Sequence, residues 1–134
     1  MLIREYTPAD LDALRRMHAS QGFDYAFPNL ADPIFVSKLV VEDDTGKLAM
    51  ASLARLTCEM YLLVDRGAGV APAVRWSQLL ALHSAGERDL AARGLDDAHA
   101  WLPPAIAKRF GRRLATLGWQ RDDTWTPYCK VLTK

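Results

Sequence analysis

The sequence predicts one α/β domain, residues 1–134, in which helices flank a mixed and largely antiparallel sheet. Half of the 134 residues are hydrophobic, and this length lies within the commonest domain size of about 100–150 residues. Apolar and polar residues alternate through the middle of the chain, which is the period of strands, whereas later segments repeat at the three- and four-residue steps of helices. No repeat, low-complexity run or linker divides the sequence.

The first elements are a strand and a capped helix. The opening LIREY alternates as a short strand does. Thr7 can then cap a helix, Pro8 suits its first position and Asp10 lies near its positive end. Helical periodicity continues to a stop at Gly22. The following QGFDYAFPNLADP holds two prolines without a clear period, so it predicts a long loop or a short irregular helix.

The central residues predict an antiparallel meander. Gly46 lies in a polar turn between two apolar runs and indicates a hairpin between strands near 34–43 and 47–56. The next run, TCEMYLLVD, predicts a third strand of this meander, with Glu59, Tyr61 and Leu63 on one face. A glycine-containing loop, VDRGAGVAP, follows this strand.

The remaining elements alternate between helix and strand. Residues 73–94 predict a helix closed by Gly94, and residues 95–102 predict a strand beside the one ending at Val64. A last helix follows Pro104, and the tail TWTPYCKVL predicts a final strand. On the last helix, the side chains expected to face inward are Ile106, Phe110, Leu114 and Leu117, and those expected to be exposed are Arg109, Arg112 and Arg113.

The charge and composition of the chain limit the partners, the cellular location and the kinds of site that are expected. Lys and Arg number 17 against 16 for Asp and Glu, so no bulk charge attracts nucleic acid or anionic lipid, and neither is expected as a partner. No apolar run approaches the roughly 18 residues of a membrane span, and the charged N-terminal segment does not resemble an export signal, so a cytoplasmic protein is expected. Cys58 and Cys129 are then two reduced thiols. The three histidines have no close spacing and predict no metal site.

The loop VDRGAGVAP has two interpretations, as an anion-binding loop or as a plain connecting turn. Glycines let backbone N–H groups approach an anion, and the helix that follows adds the positive end of its dipole. Glycines also simply make turns. Two further polar groups stand out: Asp97 shares a strand face with His99 and can orient its imidazole, and the last helix carries a cluster of Lys108, Arg109, Arg112 and Arg113. That cluster is either a solvated face or an anion site.

Three local patterns, in this order, resemble the GNAT-type N-acetyltransferases: the opening IREYTPADLDAL, the central VVEDDTGKLAMASL and the closing RRLATLGWQRDD. The resemblance covers nearly the whole chain and extends to the order of the elements. It implies a GNAT-like fold, acetyl-CoA as cofactor, and transfer of an acetyl group to an amine of a small molecule or peptide. The content also resembles a divergent, phage- or prophage-related branch of the family.

The resemblance implies roles for particular residues. The segment from Arg66 to Ala71 fits the family's pyrophosphate loop: Arg or Gln, two residues, Gly, one residue, then Gly or Ala. The residues implied in cofactor binding are Leu63, Val64, Arg66, Gly67, Gly69 and Ala71, with the N–H groups near Leu63 and Val64 polarising the thioester carbonyl. Glu59 and Tyr61 project from the strand beside acetyl-CoA, where the carboxylate can accept a proton from the amine or remain a solvated strand residue.

Three positions depart from the family pattern. The paired leucines Leu79 and Leu80 come later than the loop register requires, and aligning on them instead places Trp76 where a glycine belongs. Leu114 stands where the family commonly has the tyrosine that protonates the departing CoA thiolate. An alternative function therefore stays open: a non-catalytic, phage-related interaction module that keeps the fold and has lost cofactor binding.

Overall fold

A computed structural model describes residues 1–67 and 69–133 of the chain. The strands are β1 (Leu2–Glu5), β2 (Phe35–Glu42), β3 (Leu48–Arg55), β4 (Cys58–Glu59) and β5 (Ala98–His99), and the helices are α1 (Leu11–Gln21), α2 (Pro72–Ala92) and α3 (Pro104–Thr116). The chain divides into two compact units, one from Met1 to His99 and one from Ala100 onward. The mixed α/β class is confirmed, with an antiparallel sheet and three helices among the described residues.

The start of α1 follows the predicted capping pattern. A 3-10 turn at Pro8–Asp10 precedes the helix, and the Thr7 N–H donates to the Asp10 carboxylate at 2.8 Å. This bond satisfies a backbone donor at the entry to the helical segment. Gly22 ends α1 with a φ of 68°, a left-handed conformation that a residue without Cβ adopts at no steric cost. The following loop contains no helix or strand before β2, in agreement with the loop reading.

The antiparallel sheet has the order β1-β2-β3. Gly46, with a φ of 81°, lies in the turn between β2 and β3, so the predicted hairpin is confirmed. Asp43 holds this turn, because its Oδ1 accepts the N–H groups of Thr45 at 2.8 Å and Lys47 at 3.1 Å. The pairing of β1 with β2 sets Arg4 opposite Val40.

The hydrophobic core lies between α1, the 23–34 loop and one face of this sheet. Its buried centre is Leu14 of α1, Leu30 of the loop and Val40 of β2. The partly buried side chains packed around this centre are Tyr6, Leu11, Met17, Phe27, Phe35, Leu48 and Leu53. Alternation along β2 and β3 therefore directs one set of side chains to the core and the other set to the opposite face.

The predicted third strand of the meander is wrong in extent and in partner. Only Cys58–Glu59 is a strand, and it pairs in parallel with β5 instead of continuing the β1-β2-β3 sheet. The predicted strand at 95–102 does lie beside β4, but over Ala98–His99 alone. The helix α2 connects the two strands and confirms the predicted helix within two residues at each end, with Gly94 beyond it at a φ of 83°.

The second unit contains α3 and the C-terminal tail. The arginines expected to be exposed, Arg109, Arg112 and Arg113, are exposed. The expected inner face is less covered than predicted, since Ile106 is 49% exposed and no residue of α3 is fully buried. The predicted final strand is wrong: in the described residues after α3 no strand forms, because the alternating tail has no ladder partner there. In the described part of the chain, no helix combines the length and apolarity needed to cross a bilayer.

Candidate functional site

Four polar side chains lie along one side of the β4–β5 pair. Glu59 and His99 are register partners, so their side chains share a face of this pair. The Glu59 carboxylate interacts with the Tyr61 hydroxyl and raises its pKa. Asp97 Oδ2 lies 3.6 Å from His99 Nε2. We call Glu59, Tyr61, Asp97 and His99 the polar row.

Arg55, the last residue of β3, anchors the polar row. Its Nη1 donates to Asp97 Oδ2 at 3.0 Å, and its Nη2 pairs with Asp96. These two carboxylates, Asp96 first and Asp97 second, raise the pKa of Arg55 above its usual range. The Cys58 thiol adds a second tie by donating to the Asp97 carbonyl at 3.3 Å. Asp97 is therefore held between β3, β4 and β5 while its carboxylate faces His99.

The neighbouring Glu59 changes the pKa of the Tyr61 phenol. The hydrogen bond to the Glu59 carboxylate, and the negative charge of that group, raise the pKa of Tyr61. At neutral pH the phenol consequently keeps its proton and can donate it in a hydrogen bond. Tyr61 is 80% exposed, so the pair is open to a ligand from solution.

The glycine loop after β4 has a defined internal geometry. Asp65 Oδ1 accepts the Gly67 N–H at 2.9 Å, and the Asp65 carbonyl accepts a hydrogen bond from Arg75 Nη2 of α2 at 3.1 Å. Gly69 has a φ of 60°, a backbone conformation that favours glycine because residues with a side chain rarely adopt it. Arg66 is exposed beside this turn. Ala68, one of the variable positions of the loop pattern, lies outside the described residues.

The sequence-predicted site residues fall on two consecutive segments. Glu59 and Tyr61 meet in the polar row, whereas Arg66, Gly67 and Gly69 belong to the loop that leads into α2 at Pro72. The two positions expected to polarise the thioester carbonyl are accessible: Leu63 is 92% exposed and Val64 is also exposed. Ala71 is the residue immediately before α2.

Sequence reasoning considered the Glu59–Tyr61 pair and the Asp97–His99 pair separately. The parallel register of β4 and β5 places Glu59 beside His99, so the two pairs form one row. Arg55 was missed altogether. The sequence feature that points to Arg55 is the adjacent pair Asp96-Asp97 near the start of the predicted strand at 95–102, since two neighbouring carboxylates favour a cation partner.

A separate groove of about 310 Å³ lies between α1 and the start of β3. Its lining residues are Ala13, Arg16, Met17, Ser20, Lys47 and Leu48. None of them belongs to the polar row or to the glycine loop. Among residues 1–67 and 69–133, no three His, Cys, Asp or Glu side chains converge in a way that could hold a metal ion.

Comparison with known proteins gives no match to a protein-family model, to a curated protein or to a solved structure. The basis for assigning a function is therefore the arrangement of this chain's own residues.

Proposed function

We propose that this protein is a GNAT-type N-acyltransferase that moves an acetyl group from acetyl-CoA to an amine. The supporting observation is the β4–α2–β5 unit, in which Glu59 and His99 are the last residues of two parallel strands. In parallel sheets, ligands bind beyond the carboxyl ends of the strands, where the connecting loops and the N-termini of the helices lie. The glycine loop lies between β4 and α2 in the chain, and α2 begins at Pro72.

The residues of the loop fit a diphosphate group. Gly67 and Gly69 offer backbone donors without side chains, and the first turn of α2 contains no acidic residue. Arg66 would pair with a phosphate, and the N–H groups of Leu63 and Val64 would polarise a carbonyl oxygen. Acetyl-CoA, when bound, supplies a thioester that is activated for attack by an amine.

The polar row supplies the acid–base chemistry of the transfer. An ammonium acceptor must lose a proton before its nitrogen forms a bond to the acetyl carbon as the bond from carbon to sulfur breaks. Glu59 accepts that proton, directly or through water, and the Tyr61 hydroxyl orients its carboxylate. The departing thiolate takes a proton from solvent, because Leu114 provides no acid at the position where the family commonly has tyrosine.

A calorimetric titration with acetyl-CoA tests the proposal. Wild-type protein should bind, and Arg66→Ala should remove a charge-assisted contact of about 1.5–3 kcal/mol, lowering the affinity roughly tenfold or more. Heat from neither titration, together with no thermal shift at millimolar acetyl-CoA, would defeat the proposal. Release of free thiol in the presence of a panel of amines then measures transfer itself.

The steric variant must respect the loop conformation. Gly69→Val is unsuitable, since its positive φ would strain the backbone and confuse lost binding with altered folding. Gly67 is the better position, because a Cβ there would lie 3.5 Å from Asp65 Oδ1, an ordinary contact. Gly67→Val should therefore fold and weaken binding, while Gly67→Ala reports the smaller steric effect. Circular dichroism of both variants checks the fold.

The second candidate function is a non-catalytic interaction module. The observation that favours it is the exposed apolar segment beside the polar row, where Leu63 is 92% exposed. The same titration separates the two functions. Binding of acetyl-CoA without thiol release by any amine, or no binding at all, favours the module.

A further inference from the structure

Among residues 1–67 and 69–133, no strand lies beside the outer edge of β3. The sheet ends at β3, and β4, the next strand along the chain, pairs with β5. Within the described residues, β3 therefore uses only the side that faces β2 for its ladder. A strand edge of this kind presents a row of backbone donors and acceptors that can pair with another chain.

The composition of β3 leaves this edge unprotected. No charged residue and no proline occurs between Lys47 and Arg55, although lysine and proline are the residues that commonly block edge pairing. The one irregularity of the ladder near the start of the strand leaves Ala49 without a partner, because Val41 pairs with Met50 and Glu42 pairs with Leu48. Met50 to Ala54 form a regular stretch, in which Met50 is 63% exposed and Ala51 and Ser52 are also exposed; a second shift of the ladder separates Ala54 from Arg55.

We propose that β3 pairs in antiparallel fashion with β3 of a second copy of this chain, about a two-fold axis at Ser52. Side chains alternate between the core face, with Ala51 and Leu53, and the opposite face, with Met50, Ser52 and Ala54. An axis at Ser52 aligns both sets: Met50 meets Ala54 on the open face, and Ala51 meets Leu53 on the core face.

Charge selects this register over its neighbour. An axis at Ala51 would place Lys47 opposite Arg55 of the second copy, and like charges directly opposite each other destabilise a sheet. With the axis at Ser52, Arg55 lies opposite Ala49, the small residue at the bulge. An uncharged strand also gives no electrostatic preference for a charged peptide, and pairing with an identical strand closes the assembly at two copies. The result is a six-stranded sheet.

Cross-linking tests the register. In an antiparallel pair, directly opposed Cα atoms are about 4.5–5.5 Å apart, which is within the range for a disulfide. With Cys58 and Cys129 replaced by serine, the Ser52→Cys variant should form a covalent dimer under mild oxidation. The Ala54→Cys variant is the matched control. Its two cysteines would be separated by several residues along the pair and should stay uncrosslinked.

Sedimentation over a wide concentration series tests the association itself. Wild-type protein should dimerise, and Ser52→Lys should be monomeric because two ammonium groups would face each other across the axis. Ser37→Lys, opposite Ala54 on the central strand, adds the same charge away from the axis and should still dimerise. Circular dichroism and the thermal midpoint check that both variants fold.

Three results would overturn the dimer: a monomeric wild type at every concentration, a dimer that Ser52→Lys leaves intact, or equal cross-linking at positions 52 and 54. None of these results depends on acetyl-CoA, so the dimer and the proposed activity are tested independently.

Discussion

Asp10 is a carboxylate that the fold buries together with its counterion. Its side chain is 7% exposed, and Arg4 Nη1 and Nη2 donate to its two oxygens at 2.8 Å each. Arg4 Nε also donates to Glu42 at 2.8 Å, so the guanidinium connects β1, the 3-10 turn and β2. Bidentate pairing of this kind fixes geometry as well as charge.

Replacing Asp10 by asparagine should destabilise the fold. The amide keeps the shape but loses the charge-assisted bonds to Arg4, so the free energy of unfolding should fall by about 1.5–3 kcal/mol in a urea titration. Glu5→Gln is the control, because Glu5 is exposed on β1, the strand that contains Arg4, and its effect should stay within about 0.5 kcal/mol. Equal losses from the two variants would contradict the special position of Asp10.

The pH dependence of that difference follows from the pKa of Asp10. The hydrogen bond from Arg4 is the largest cause that lowers this pKa below its usual range, so the folded state holds the proton less tightly than the unfolded state. The stabilisation is thus present above the unfolded pKa of about 3.9 and is lost as pH falls toward the lowered folded pKa. The stability gap between wild type and Asp10→Asn should therefore narrow below about pH 4.

The sequence predicted the local part of this arrangement and missed the distant part. Thr7, Pro8 and Asp10 indicate a helix start by their spacing alone, because a cap involves only neighbours. Arg4 as the partner of Asp10 depends on the course of β1 relative to the turn, and Glu42 depends on the register of β1 against β2. Periodicity does not contain that information.

Asp65 should weaken anion binding at the glycine loop. Its carboxylate accepts the Gly67 N–H at 2.9 Å and so places a negative charge within the segment proposed to hold a diphosphate. Asp65→Asn keeps an oxygen acceptor for that N–H and removes the charge. We expect calorimetry to give roughly two- to fivefold tighter acetyl-CoA binding, the size of an exposed charge effect. Weaker binding by Asp65→Asn would contradict this role of the carboxylate.

At the scale of elements, α1, α2, α3 and the hairpin were predictable, whereas β4 and β5 were not predicted in extent. Helices and hairpins depend on near neighbours, and their stop and turn signals at Gly22, Gly46 and Gly94 all appear in the structure at positive φ. Whether the alternating segments 58–64 and 95–102 form strands depends instead on a pairing partner, which cannot be identified from periodicity. After β3 the Leu56 N–H bonds to the Ile34 carbonyl, and the chain then pairs with β5 for two residues only.

The helix-interior glycines give a test of packing within elements. Gly86 of α2 has ordinary helical φ, and a Cβ there would lie 3.6 Å from the Met60 methyl carbon, an ordinary contact. Gly86→Ala should therefore stabilise the protein by about 0.5–1 kcal/mol through helix propensity. Thermal or urea unfolding measures the change.

Two other glycines are the controls for Gly86→Ala. Beyond its own helix backbone and chain neighbours, no atom of residues 1–67 or 69–133 lies within 4 Å of a Cβ added to Gly111 of α3, so Gly111→Ala should show the propensity gain without a packing contribution. Gly46→Ala should destabilise, because its φ of 81° is strained for any residue with a Cβ. A loss of stability in Gly86→Ala, alongside a gain in Gly111→Ala, would show that α2 and Met60 are packed too tightly for a methyl group.

For the molecule as a whole, the order of the elements was predictable as far as α3, and the assembly of the site was only partly predictable. The mixed α/β class follows from the periods along the chain, and these are local properties. The polar row forms because Glu59 and His99 are register partners, although the whole of α2 separates them in the sequence. Asp97 beside His99 was predictable because the two residues are separated by a single position.

The charge balance of the whole chain predicts that it does not bind nucleic acid. The formal net charge is +1, although Lys108, Arg109, Arg112 and Arg113 form an exposed basic cluster on α3. Four cations can neutralise only a few phosphates, so duplex DNA should bind at best at the non-specific level, with a dissociation constant near 10⁻⁴ M or weaker at physiological salt. Fluorescence anisotropy with a labelled duplex at several salt concentrations measures this.

The salt dependence distinguishes a functional basic cluster from a solvated one. A cluster that binds DNA would give tight complexes and a steep fall of log K with log salt, and the slope would become shallower by about one unit for each phosphate contact removed. Arg109→Glu with Arg112→Glu is the informative variant, since both side chains are exposed. We expect it to match wild type within error, because near-balanced charge leaves no strong attraction to lose. Micromolar or tighter binding that this variant abolishes would instead make α3 a nucleic-acid interface.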